Sequence, residues 1–240
     1  MKRDAVALAI AMAGPSVMTW LEFKVLPGGA NTEDPTLLTL FAAGKVVQFT
    51  FPLLYVWWFE PGRIRPARPT SRGLALGIAF GLVVGAGALV LYFAWLRHTS
   101  LMAHTPDQVY GWLTKMHLDT RAGFVGMAIF LSILHSFLEE YYWRWFVFGW
   151  LRRYLPHVVA MVVSSVAFMA HHVIILSVYL PGQFWTLAVP FSLCVAGGGI
   201  VWAWLYDRSE SLYAPWVSHL LVDAALMLVG YEMVARFWGE

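Results

Sequence analysis

Residues 122–150 read "AGFVGMAIFLSILHSFLEEYYWRWFVFGW". The segment is long enough to cross a bilayer, which takes about 20 apolar residues. It nevertheless carries Glu139, Glu140 and Arg144, with aromatic residues on both sides. Its length sets the fold class, and its charges raise the question of function.

The rest of the chain has the same character. It is 60% hydrophobic and 12% charged, so it departs far from a soluble domain, in which charged residues are about a quarter. Apolar windows recur over 5–23, 36–59, 73–96, 122–150, 157–180, 184–206 and 213–231. We therefore expect an all-α, multi-pass transmembrane bundle of about seven spans, with residues 1–240 forming a single integral membrane domain. The opening "MKRDAVALAIAMAGPS" has the outline of a signal peptide, but its apolar run continues through "VMTWLEF" and reads as a first span. The Pro- and Arg-rich segment 60–72 is a connector, and 97–121 reads as a longer polar loop.

Basic residues alternate in side. Lys2, Arg3, Arg63, Arg65, Arg68, Arg72, Arg152, Arg153 and Arg208 stand against Lys24, Arg97, Lys115, Arg121 and Arg236. The excess places the first group and the N-terminus in the cytoplasm, in a membrane of the bacterial inner type. A net charge of +2 with no basic patch gives no footprint for nucleic acid. Cys194, the single cysteine, lies in an apolar run and is expected to be a buried small hydrophobe. "AGGGI", 196–200, is expected to be a small-residue surface for close helix packing.

A charged side chain at the centre of a membrane helix costs on the order of 2.5–3.5 kcal/mol, so each such residue is a candidate functional group unless it pairs or snorkels. Glu22 stands at a helix end within reach of headgroups. Lys45 is deeper, and is expected to snorkel or to pair. Glu140 and Arg144 are four residues apart with the acid first, the favourable order for an ion pair on one helix face. Glu139 is rotated by about 100° and remains available, with His135 on its own face. "SSVAFMAHHVIIL" brings His171 and His172, which point in different directions, so at most one is expected to face a given cavity. "PWVSHLLVDAALM" brings His219 and Asp223 at i and i+4, where the acid can orient the imidazole. Polar groups from three helices at mid-membrane depth are most cheaply satisfied by one another around a wet cavity. A carboxylate with imidazoles can activate water and stabilise an oxyanion.

Three motifs occur in order: EExxxR at Glu139–Arg144, FxxxH through Phe168 and His172, and HxxxD through His219 and Asp223. In these, over residues 122–231, the chain resembles the CAAX-prenyl-protease and bacteriocin-processing family, also called CPBP or Abi. Its members are intramembrane glutamate-dependent endopeptidases. Residues 1–121 carry no matching motif. The resemblance implies cleavage of a membrane-anchored protein or peptide near its anchored terminus, with no cofactor. Glu139 would be the general base, His172 would position the water or shuttle its proton, and His219 and Asp223 would form the oxyanion side. Glu140 and Arg144 would be the supporting ion pair. The prenyl proteases end the third motif in Asn, whereas this chain has Asp223, which when ionised only accepts hydrogen bonds. That departure raises zinc binding by Glu139, His172, His219 and Asp223 as an alternative. Others are a non-catalytic Abi-type immunity or binding protein, and a proton-coupled transporter.

Overall fold

A computed structural model of the chain describes residues 2–25, 35–60 and 67–239, so Arg63 and Arg65 lie outside the described residues. Seven helices are long and apolar enough to cross a membrane, and no strand occurs among the described residues. In chain order, α1 is Lys2–Val25, α2 is Pro35–Phe59 and α3 is Ser71–Ala94; α4 is the short helix Thr105–Lys115. Then come α5, Arg121–Leu151; α6, His157–Tyr179; α7, Phe184–Ser209; and α8, Tyr213–Trp238. The chain is an all-α, multi-pass integral membrane protein.

The stretch expected as a loop after Arg97 contains α4. Its "TPDQVYGWLTK" is too polar for a span, yet it buries Trp112 and Leu113 on one face, and Trp112 packs edge-on to Phe23 at 5.4 Å. Loop composition and a one-sided amphipathic helix look alike when only two large apolar residues mark the buried face.

α5 is the central element. Thr120 caps it, its hydroxyl accepting from the Gly123 N–H at 3.0 Å. Two widened π-helical stretches, Phe130–His135 and Tyr141–Phe148, flank the regular turn Ser136–Glu140. From Glu139 to Leu151 all residues but Trp145 are buried, because α1, α2, α6 and α7 surround this half of the helix. A helix apolar nearly all round is one that neighbours enclose, which accounts for the aromatic density of the segment.

The most extensive helix pair is α3 with α8. Gly77, Gly81 and Gly85 form one stripe on α3, and a Cβ at Gly77 would lie 2.3 Å from the Ala214 carbonyl oxygen. One at Gly81 would lie 2.8 Å from the Ser218 carbonyl oxygen. Small residues let membrane helices approach to backbone contact, and here they press α3 against the turn of α8 that carries His219. Of the glycines in "AGGGI" only Gly199 serves this way, 2.9 Å from the Ser165 hydroxyl as judged by an added Cβ. Cys194 is exposed on α7 rather than buried; a thiol in a bilayer can face lipid as readily as protein.

Polar contacts collect at the two ends. At one, Arg153 binds Glu60 at 2.5 Å and Arg152 binds Asp207 at 2.8 Å, while Asp4 accepts from Tyr55 and Tyr154. The hydrogen bonds that Arg153 donates to Glu60 hold the guanidinium pKa above its ordinary value. At the other, Arg236 binds Asp107 at 2.8 Å, and Tyr92 donates to Glu232.

Candidate active site

The site is assembled from α5, α6 and α8, with a wall from α7. Glu139 and Glu140, consecutive on α5, face different partners, as the 100° step between helical neighbours requires. Glu140 is fully buried; its carboxylate lies 3.0 Å from Arg144 Nε and 2.8 Å from His219 Nδ1. The expected ion pair is thus one side of a three-residue bridge from α5 to α8. A carboxylate only accepts, so His219 Nδ1 is the donor.

Glu139, 7% exposed, is ringed by imidazoles. Nε2 of His135 is 3.4 Å from it, Nε2 of His171 is 3.5 Å and Nε2 of His219 is 3.7 Å. The same Nε2 of His219 is 3.5 Å from Asp223, whose side chain is 20% exposed. Sequence spacing pointed to Asp223 as the acid that orients His219; the closer partner is Glu140. The pair is 79 residues apart in sequence, and no local spacing marks it.

His172 hydrogen bonds through Nδ1 to the Phe168 carbonyl at 3.1 Å. The carbonyl only accepts, so Nδ1 carries the proton and Nε2 of the neutral ring keeps its lone pair. His171 and His172 were expected to point apart, with at most one facing a cavity. Both reach Glu139: the three residues can place ligand atoms within 4.8 Å of one another. Adjacent helical side chains diverge from a single point, but a carboxylate opposite the gap between them meets both. Among the described residues this trio, and not Glu139 with His172, His219 and Asp223, is the group whose atoms come close enough to share one ion.

Aromatic rings hold the imidazoles in place. Trp202 of α7 stacks on His219 with centroids 4.1 Å apart and donates to the Ser218 hydroxyl at 3.0 Å. Trp143 lies parallel to His171 at 6.0 Å. Phe168 is the floor: its centroid is 4.7 Å from that of His172 and 4.8 Å from the guanidinium carbon of Arg144. These contacts give the Phe of the FxxxH motif a physical task. Trp202 was not singled out from sequence, and His171, a candidate there, was given no role, since a tryptophan in a membrane helix and a second histidine beside a motif histidine carry no spacing signal.

An apolar groove of about 1100 Å³ runs along α2 and α5 beside this cluster. Phe49, Leu138, Tyr141 and Trp145 are among its walls, and His135 is the residue that belongs both to the groove and to the ring around Glu139.

Residues 121–225 match the family model described as Type II CAAX prenyl endopeptidase Rce1-like. Those residues resemble an Rce1-like domain. No curated protein and no solved structure matches the chain. The Rce1-like domain begins at α5 and ends two residues beyond Asp223, so it contains every residue of the three motifs and leaves α1–α4 outside. At the level of family, the match makes this part of the chain similar to the type II CAAX prenyl endopeptidases.

Proposed function

We propose that this protein is an intramembrane endopeptidase in which Glu139 activates water to cut a peptide bond near the membrane-anchored end of a protein or peptide. The observation that carries the reading is the setting of Glu139: a nearly buried carboxylate within 3.4–3.7 Å of ring nitrogens of three histidines from three places in the fold. Glu139 takes a proton from water as the oxygen bonds to the scissile carbonyl carbon. His172 holds that water through its Nε2 lone pair. The carbonyl oxygen becomes an anion facing Nε2–H of His219, taken as the imidazolium, whose Nδ1–H donates to Glu140. Asp223 assists by orienting the imidazole. The proton passes from Glu139 to the departing amine as the C–N bond breaks, which leaves the carboxylate ready for another cycle.

The substrate belongs to the class in the family description, a C-terminal tail carrying a lipid anchor. The N-terminus faces the cytoplasm, in agreement with the basic residues gathered at the Arg152 and Arg153 end. From that end, at 1.5 Å per residue, His219 is about 9 Å along α8 and Glu139 about 18 Å along α5. The bond is thus cut at membrane depth, about 9–18 Å from the cytoplasmic end, in a bacterial inner membrane.

The experiment compares N- and C-termini of membrane proteins in cells carrying the wild type or Glu139→Gln. Accumulation of an uncut protein in the variant is expected. Identical termini with both proteins expressed would favour the non-catalytic immunity reading. One observation favours a second chemistry, since Glu139, His171 and His172 are placed to share an ion. In that reading Glu139, His171 and His172 would hold a metal ion, which would lower the pKa of a bound water.

A further inference from the structure

Lys45 stands well inside α2, half-buried, and lines the apolar groove on the same face as Phe49 and Leu53, one and two turns on. The groove has three formal charges. Arg152 and Glu210, at one mouth, are 2.8 Å apart and satisfy each other. Among the described residues Lys45 makes no ion pair or hydrogen bond; His135 in the groove and Glu22 of α1 outside it are within electrostatic range. An ammonium facing an apolar cavity at membrane depth is a site for an anion. A neutral lipid chain would fill the groove and offer that charge no anion inside it.

We propose that Lys45 is a specificity-determining residue that takes the free C-terminal carboxylate of an apolar peptide lying in the groove. The inference rests on the protease reading above, and deepens it by selecting substrates cut close to their C-terminus. The geometry supports this occupant. Phe49, one turn from Lys45, packs edge-on to His135 with ring centroids 6.1 Å apart, and His135 touches Glu139. A carboxylate held by Lys45 therefore leaves room for only a few extended residues, at about 3.3 Å each, before the chain passes the catalytic carboxylate. The groove walls between are aliphatic and aromatic, so those residues are apolar.

The test measures binding to the purified full-length protein in phosphatidylcholine nanodiscs, in a Glu139→Gln background so that nothing is cut. The probes are two fluorescent peptides, each an S-farnesyl cysteine followed by three aliphatic residues, one a free acid and the other a C-terminal amide. We expect the acid to bind about ten-fold tighter than the amide, the scale of one charge-assisted hydrogen bond. Lys45→Met should remove the difference, with both peptides binding at the amide's affinity, and Lys45→Arg should restore it. Equal binding of acid and amide with Lys45 present, a preference that survives Lys45→Met, or no binding of either would overturn the proposal. So would loss of the acid's advantage when phosphatidylglycerol replaces phosphatidylcholine, since a lipid phosphate would then own the lysine. Hydrolysis of the acid by wild type, lost in Glu139→Gln, is read separately; its absence alongside an intact acid preference counts against the protease reading and not against Lys45.

Discussion

Glu140→Leu tests whether the site is held by charge or only by packing. Glu140 is the one acceptor for Nδ1 of His219 and the counter-charge for Arg144, which is itself 1% exposed. Removing the acid leaves a guanidinium among α5, α6 and α7 without its ion-pair partner, Glu139 being the more distant carboxylate. Breaking a buried pair in this way costs about 3–5 kcal/mol. The Phe168 and Trp202 rings, 4.8 and 5.3 Å from the guanidinium carbon, offset part of that by cation–π attraction, so the lower end is the better figure. At about 2–4 °C per kcal/mol for a chain of this size, the midpoint should fall by roughly 6–12 °C. Glu140→Leu/Arg144→Met removes both charges and should recover more than half of the loss, leaving the cost of the unmade His219 bond. Intrinsic tryptophan fluorescence on heating the detergent-solubilised protein reads all three. A single variant within about 2 °C of wild type, or a double variant that falls as far as the single, would refute the reasoning.

Gly77→Val should force α3 off α8, because its Cβ would meet the Ala214 carbonyl at 2.3 Å. His219 and Asp223 ride on α8, so activity should drop by about a hundred-fold, the scale of a 1 Å misplacement. Gly87→Ala, with nothing within 4 Å of the added carbon, is the control and should behave as wild type. Asp223→Asn should retain substantial proteolysis, since an amide can orient His219 or donate to the oxyanion, whereas Asp223→Ala should not; full activity in both would remove Asp223 from the mechanism. Treatment with dipicolinate followed by dialysis should leave turnover of the farnesylated acid peptide unchanged. A loss restored by zinc would reassign Glu139, His171 and His172 as ligands.

Much of this molecule could be read from one dimension. Hydropathy and length mark seven spans, because in a bilayer each helix satisfies its own backbone and declares itself by composition alone. The Glu140–Arg144 pair follows from i, i+4 spacing, and Glu139 follows as the acid on the adjacent face. Local periodicity says which residues share a face of one helix. It does not say which faces of different helices meet, since that depends on crossing angles and closest approach. The glycine stripe on α3 went unread for this reason: its purpose lies in α8, more than a hundred residues away. The bond from Glu140 to His219, the place of both His171 and His172 at Glu139, and the stacking of Trp202 on His219 all arise where helices cross. The groove that brings Lys45 near His135 exists only between α2 and α5, and neither helix encodes it alone.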